Sequence, residues 1–137
     1  MNDIITSAVV PEHQRVEITA ALFGSRFPFQ IEPAIFDFAR DLSEDYGGGS
    51  WEFFALSNGG FFMCPRAPNR FHAESPNQNT ATMSSEAFGI AVCLFAYSNL
   101  SFSSDLALSE TVSEAFHRLR GFALDHANAA DILRIID

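Results

Sequence analysis

No lysine occurs among the 137 residues, and that absence removes two kinds of chemistry. A Walker-type phosphate loop needs a lysine to reach the phosphates, and Schiff-base catalysis needs a lysine amine. The basic residues that remain are eight arginines, against 17 acidic residues, for a formal charge of −9. Arg15, Arg26, Arg40, Arg66, Arg70, Arg118, Arg120 and Arg134 are scattered along the chain. Nucleic acid needs a clustered cationic face to release its counterions, so no direct nucleic-acid binding is expected. Imitation of nucleic acid would need carboxylates repeating as densely as phosphates. Here they alternate with apolar residues, as solvated helix faces do.

Cysteine is also scarce. Cys64 and Cys93 are too few for a disulfide framework and lack metal-ligand spacing, so neither a metal nor a cofactor is expected. No apolar run reaches the roughly 18 residues of a membrane span, and the N-terminus has no signal-peptide pattern. A reducing cytoplasm and no membrane partner are the simplest expectation.

What the chain has in quantity is phenylalanine, 15 residues within a 47% hydrophobic composition. One domain over 1–137 should bury roughly 68% of its unfolded surface around an aromatic core.

The densest punctuation lies between Asp45 and Pro65, which holds five of the eight glycines and the single tryptophan. Gly47-Gly48-Gly49 suits a helix termination packed under Trp51. Trp51 to Leu56 and Phe61 to Met63 are of strand length, and Asn58-Gly59 between them predicts a hairpin with a type I′ turn.

Around this hairpin the signals vary in strength. Residues 1 to 9 read as a frayed start. Val10 to Arg15 reads as a turn or short helix, and Thr19 as the cap of a short helix, Ala20 to Phe23, ending at Gly24. Pro33 opens a helix with Ile35, Phe38, Ala39 and Leu42 on one stripe. Arg70 to Glu74 and Thr80 to Met83 form a second hairpin, and the four strands together read as an antiparallel meander. Ser84 caps a helix that is apolar on nearly all sides. An amphipathic helix follows with Glu114 and Arg118 as an i, i+4 pair, then a short terminal helix with Asn128 as its cap. The fold class is α+β, a sheet of about four strands packed with several helices.

Three groupings invite chemistry. The Gly47-Gly48-Gly49 amides could cradle an anion, but a phosphate site normally follows a strand and opens a helix, the reverse of the order here. Cys64 and His72 could act as nucleophile and base if the thiol pKa were lowered and the two were in reach. Asp45 and Glu52 flank the glycines and could face each other as acid and base. Asp45 is poorly placed near a helix C-terminus, so a bond to glycine-loop amides is its expected role. His117 and His126, nine residues apart, lack helical zinc spacing.

The run Asp45-Tyr46-Gly47-Gly48-Gly49-x-Trp51-x-Phe53-x-x-Leu56-Ser57-Asn58-Gly59-Gly60-Phe61-x-Met63-x-Pro65 closely resembles the hallmark segment of the ArdB/KlcA antirestriction family. Supporting matches are Val10-Pro11-Glu12-x-Gln14-Arg15, Phe23-Gly24, Ser85-x-x-x-Gly89-Ile90, His117-x-Leu119-Arg120-x-Phe122-Ala123-x-x-His126 and Ile136-Asp137. The resemblance implies a cytoplasmic protein of mobile elements in a bacterial host that protects incoming DNA from type I restriction-modification. It implies neither catalysis nor a cofactor, and no catalytic residues to carry over. The implied partner is the restriction complex or a host factor controlling it. Loops held by a rigid sheet are favoured contact sites, which nominates Asp45, Tyr46, Gly48, Trp51, Asn58 and Gly59 as an interaction surface. The alternatives are a small hydrolase using Cys64 and His72, or an acidic DNA mimic.

Overall fold

The β2–β3 hairpin is the element on which the others pack. In the computed structural model, which describes residues 4–67 and 70–137, β2 (Trp51–Leu56) and β3 (Phe61–Pro65) run antiparallel with Phe53 opposite Met63. Their turn differs from the type I′ expectation. Gly59 N–H donates to Leu56 O at 3.0 Å and Leu56 N–H to Gly60 O at 2.9 Å, and of the turn residues Gly59 alone has positive φ, 87°. This is a three-residue loop with the left-handed residue last. Asn58 keeps an ordinary φ because its side chain is engaged: Oδ1 accepts from Gly60 N–H at 3.0 Å and Nδ2 donates to Arg118 O at 2.9 Å.

Residues expected to fray instead supply a third strand. β1 (Ser7–Val9) pairs antiparallel with β2, Ala8 opposite Ala55, in the order β1-β2-β3. The second hairpin, β4 (Phe71–Glu74) and β5 (Thr80–Met83), forms a separate two-stranded sheet. The four expected strands are therefore present but are not one meander.

The physical reason lies on the outer edge of β3, where β4 would have paired. Helix α3 (Ser85–Leu100) covers that edge with side chains. Tyr97 O–H donates to Phe61 O at 2.9 Å, Cys93 Sγ lies 3.5 Å from Met63 N and 3.6 Å from Met63 O, and Ser85 Oγ donates to Pro65 O. An unpaired sheet edge is a template for further strands, and covering it with a helix removes that option. The approach requires Gly89: a Cβ there would come within 3.0 Å of Cys64 Cα and Cβ and of Met63 O. Ser84 caps α3 by accepting from Ala87 N–H at 3.2 Å, and the helix is buried on nearly every side, as its uniform apolarity predicts.

The remaining helices wrap this centre. α1 spans Arg15–Phe23 and ends at Gly24, φ 65°, as expected, but begins before Thr19, whose Oγ1 donates back to Arg15 O at 2.8 Å instead of capping. A π-helical segment, Phe27–Ile31, leads directly into α2 (Glu32–Leu42), which buries Ile35, Ala39 and Leu42. α4 (Leu106–Leu124) buries Leu108, Val112, Ala115, Leu119 and Ala123, and Glu114 pairs with Arg118 at 2.6 Å. α5 (Ala129–Ile136) makes no side-chain cap bond at Asn128. The Asn128 carboxamide accepts instead from Ser84 Oγ at 3.3 Å, tying α5 to the start of α3. Phe23, Phe27, Phe53, Phe61 and Tyr97 form one aromatic cluster, with centroid separations between 5.5 and 6.2 Å.

Candidate functional site

The glycines at 47–49 form the crest of an arch. α2 ends at Leu42, and the chain leaves it through Ser43 in extended conformation, so the glycines do not terminate the helix. Nor do they pack under Trp51, because no atom lies within 4 Å of a Cβ built at any of the three. Backbone conformation is what demands glycine, with φ 98° at Gly48 and 103° at Gly49.

The two feet of the arch are Tyr46 and Trp51, 8% and 3% exposed. Trp51 Nε1–H donates to Tyr46 Oη at 3.0 Å, and the two rings meet edge-on at 5.5 Å. Phe36 adds a second edge contact to Trp51 at 5.4 Å. A buried indole N–H needs such a partner, and here the phenol supplies it locally.

Ser43 and Asp45 anchor the arch to the second sheet. Ser43 Oγ donates to His72 O at 2.8 Å and accepts from Asp45 N–H at 3.1 Å, while Asp45 Oδ2 accepts from His72 N–H at 2.9 Å. Asp45 thus holds the start of β4, not the glycine amides. Beside the crest is a cleft of about 290 Å³ lined by Gly47, Gly48, Pro65, Arg66, Arg70 and Phe71.

The six residues nominated from sequence fall into two places. Asp45, Tyr46, Gly48 and Trp51 belong to the arch, whereas Asn58 and Gly59 sit at the far tip of the β2–β3 hairpin, beside α4. Asp45, Gly48 and Gly59 are exposed, Asn58 is half-buried, and Tyr46 and Trp51 are core.

The catalytic groupings are not assembled. Cys64 is buried on β3, and desolvation, reinforced by the Glu86 and Glu52 charges, pushes its thiol up to about 12. A nucleophilic cysteine needs the opposite shift. His72 is spent across the β4–β5 pair, with Nδ1 2.9 Å from Thr82 Oγ1. Cys93 is enclosed in α3, its thiol also at about 12 through burial. Glu52 pairs with Arg66 at 2.7 Å and does not meet Asp45. His126 Nε2 lies 2.6 Å from Glu86 Oε2 while Nδ1 accepts from Asn128 N–H at 3.0 Å, so a neutral ring donating to Glu86 satisfies both contacts. Among the described residues no group of three His, Cys, Asp or Glu side chains is placed to hold a metal ion, and no helix is long and apolar enough to cross a membrane.

The comparisons give this geometry its context. A family model for antirestriction proteins matches residues 44–137, from the arch to the C-terminus. The chain belongs to the antirestriction protein family. An antirestriction protein KlcA of Escherichia coli is 34% identical over 97% of this chain and 95% of its own length. The E. coli K12 protein YafX is 40% identical over 97% of this chain and 88% of its own. A solved structure from work on KlcA and ArdB superposes with a TM-score of 0.88 at 35% identity, covering 100% of this chain and 98% of that one. Those proteins are described as showing a novel fold and antirestriction activity against Type I DNA restriction systems in vivo but not in vitro.

In this antirestriction chain, sequence reasoning missed Ser43, whose hydroxyl donates to the His72 carbonyl and so ties the arch to β4, and the stacking of Arg15 on Phe53, 4.3 Å from ring centroid to guanidinium. No local pattern announces either, since both depend on partners more than 25 residues away in sequence.

Proposed function

We propose that this protein protects DNA entering a bacterial cytoplasm from type I restriction, by contact with another protein and not by catalysis. The partner is the restriction-modification complex or a host factor that controls it. The observation that carries this reading is the whole-chain similarity to KlcA and ArdB, at 35% identity and TM-score 0.88. The chain acts as one unit over 1–137 and without a cofactor. Exposed Asp45 and Gly48 at the arch, with Asn58 and Gly59 at the hairpin tip, are the contact points. Tyr46 and Trp51 hold the arch from beneath.

Two features support contact over chemistry and mimicry. The Cys64 thiol, pushed up to about 12 inside the core, is far from a thiolate at neutral pH. Several carboxylates are neutralised in pairs, Glu52 with Arg66, Glu114 with Arg118 and Asp105 with Arg26, which breaks up any phosphate-like array. Changing Cys64→Ala together with His72→Ala should leave protection intact in proportion to the folded protein present. Loss of protection at unchanged folded level would restore the thiol mechanism.

The direct test is the plating efficiency of unmodified phage on a type I restricting host with and without expression, alongside a modified-phage control. Recovery of plaques is expected, while the purified protein leaves cleavage by purified restriction enzyme unchanged. No recovery with soluble, folded protein would overturn the reading. Salt-sensitive competition with duplex DNA for the purified enzyme would favour mimicry instead.

A further inference from the structure

The three-stranded sheet has two edges, and they are treated differently. α3 covers the β3 edge with side chains, whereas the β1 edge faces solvent. Ser7, Ala8 and Val9 are all exposed, Val9 by 52%, and Ile4 just before them by 84%. The ladder fixes which backbone groups remain open. Ser57 N–H donates to Thr6 O at 2.9 Å and Val10 N–H to Phe53 O at 2.7 Å, with Ala8 opposite Ala55 between them. Alternate residues of an antiparallel strand address opposite neighbours, so Ser7 and Val9 turn their amides and carbonyls away from β2. Among the described residues these outward groups have no hydrogen-bond partner.

Donors and acceptors repeating every second residue match one kind of occupant, another extended backbone. Sheet edges are ordinarily defended by charge, by proline or by a covering element. The run Ile4-Ile5-Thr6-Ser7-Ala8-Val9-Val10 has no charged residue and no proline. Ser7 and Val9 share a face with Leu56 and Phe54, and Phe54 stacks on Phe62, which stacks in turn on Phe122 of α4. A strand added beside Val9 therefore continues an apolar face.

We propose that the β1 edge receives an extended segment of a partner protein, which adds a fourth strand through the backbone of Ser7 and Val9. The segment is apolar beside Val9 and free of acidic residues, because the chain it meets carries −9. The assignment rests on the contact reading above and adds the form of the contact. A second copy of the chain is the poorer occupant, since it would bring two such charges together.

Proline separates the two sides of this strand. Ser7→Pro deletes an outward N–H and sets a ring in the path of an incoming strand, yet removes no bond to β2, and such edge positions are where sheets accept proline. Val9→Lys obstructs the edge by charge with every backbone group in place. Ser7→Val keeps the amide and is the control. In restricting cells the first two should each lower the recovery of unmodified phage by about tenfold at an unchanged folded level, the scale of a lost hydrogen bond, while Ser7→Val protects like the wild type. Hydrogen exchange on the purified chain reads the edge whether or not the chain protects DNA. The Ser7 and Val9 amides should exchange fast and those of Val10 and Ser57 slowly, the latter two staying slow in Ser7→Pro. Slow exchange at Ser7 and Val9 would mean an edge already covered and would overturn the proposal. So would full protection by either edge variant in cells that the wild type protects. Failure of the wild type itself to protect would remove the contact reading and this assignment with it. A dimer of the purified chain that Ser7→Pro dissolves would place a second copy on the edge and overturn the partner assignment.

Discussion

On one side of the three-stranded sheet, β3 has its outward groups bonded by Tyr97, Cys93 and Ser85, and Gly89 lets α3 lie against the strand. At β2, by contrast, Phe27 packs on Phe53 and Arg15 holds the Trp51 carbonyl, while an apolar groove bordered by Val16, Ala20 and Pro28 stays open to solvent. Tertiary contact on the first side is complete and on the second is not. The arch joins the two, with its Trp51 foot in the core and the Trp51 carbonyl held by Arg15.

Variants on the closed side should cost the most stability. Gly89→Ala forces a methyl against strand backbone, which cannot yield as a flexible side chain would. A loss of about 2 to 3 kcal/mol is expected, net of the better helix propensity of alanine, as read by the urea midpoint. Tyr97→Phe strands the Phe61 carbonyl inside the core and should cost about 1 to 3 kcal/mol by the same measurement. Asn58→Ala removes the bond from the hairpin tip to Arg118 O, in a half-buried place, and should cost about 1 kcal/mol. A Gly89→Ala chain as stable as the wild type would break the comparison at its closed end.

The open side should respond differently. Val16→Asp should stay within about 0.5 kcal/mol of the wild type, because the side chain it replaces is already in water. The smallest effect concerns Asp105, which caps α4 and accepts from Arg26 at 2.9 Å. Those hydrogen bonds hold its carboxyl below the usual range, so its contribution is present at neutral pH and is lost as pH falls through the lowered folded-state value. Thermal midpoints taken from neutral to acid pH should fall slightly more steeply for the wild type than for Asp105→Asn.

How legible this was from sequence varied with the range of the interactions. Ser84, the apolar α3 and the Glu114–Arg118 pair obey rules spanning a few residues, and the structure follows them, whereas Pro33 does not open its helix because the chain is already helical from Phe27. β1 was unreadable because Ser7–Val9 has little periodicity of its own and becomes a strand through pairing with β2. The split into two sheets was hidden for the same reason: it depends on α3 reaching the β3 edge, which no spacing around residues 61–83 reveals. In the candidate site, the glycine punctuation marked a loop but not its role, since the glycines neither end α2 nor pack under Trp51, and exposure could not be read from residue type. Tyr46 and Trp51 resemble contact residues in sequence and are core in the fold. The groove escaped notice because Arg15, Phe27 and Phe53 belong to three separate segments.

The most direct test of this division is phage protection measured against the amount of folded protein in the same restricting cells, for Tyr97→Phe, Trp51→Phe and Ser7→Pro. The closed-side and arch-foot variants should lose protection only as folded protein is lost, while Ser7→Pro, on the open edge of the sheet, should lose it at the wild-type folded level. Ser7→Pro protecting as well as the wild type, or Trp51→Phe abolishing protection while fully folded, would contradict the account.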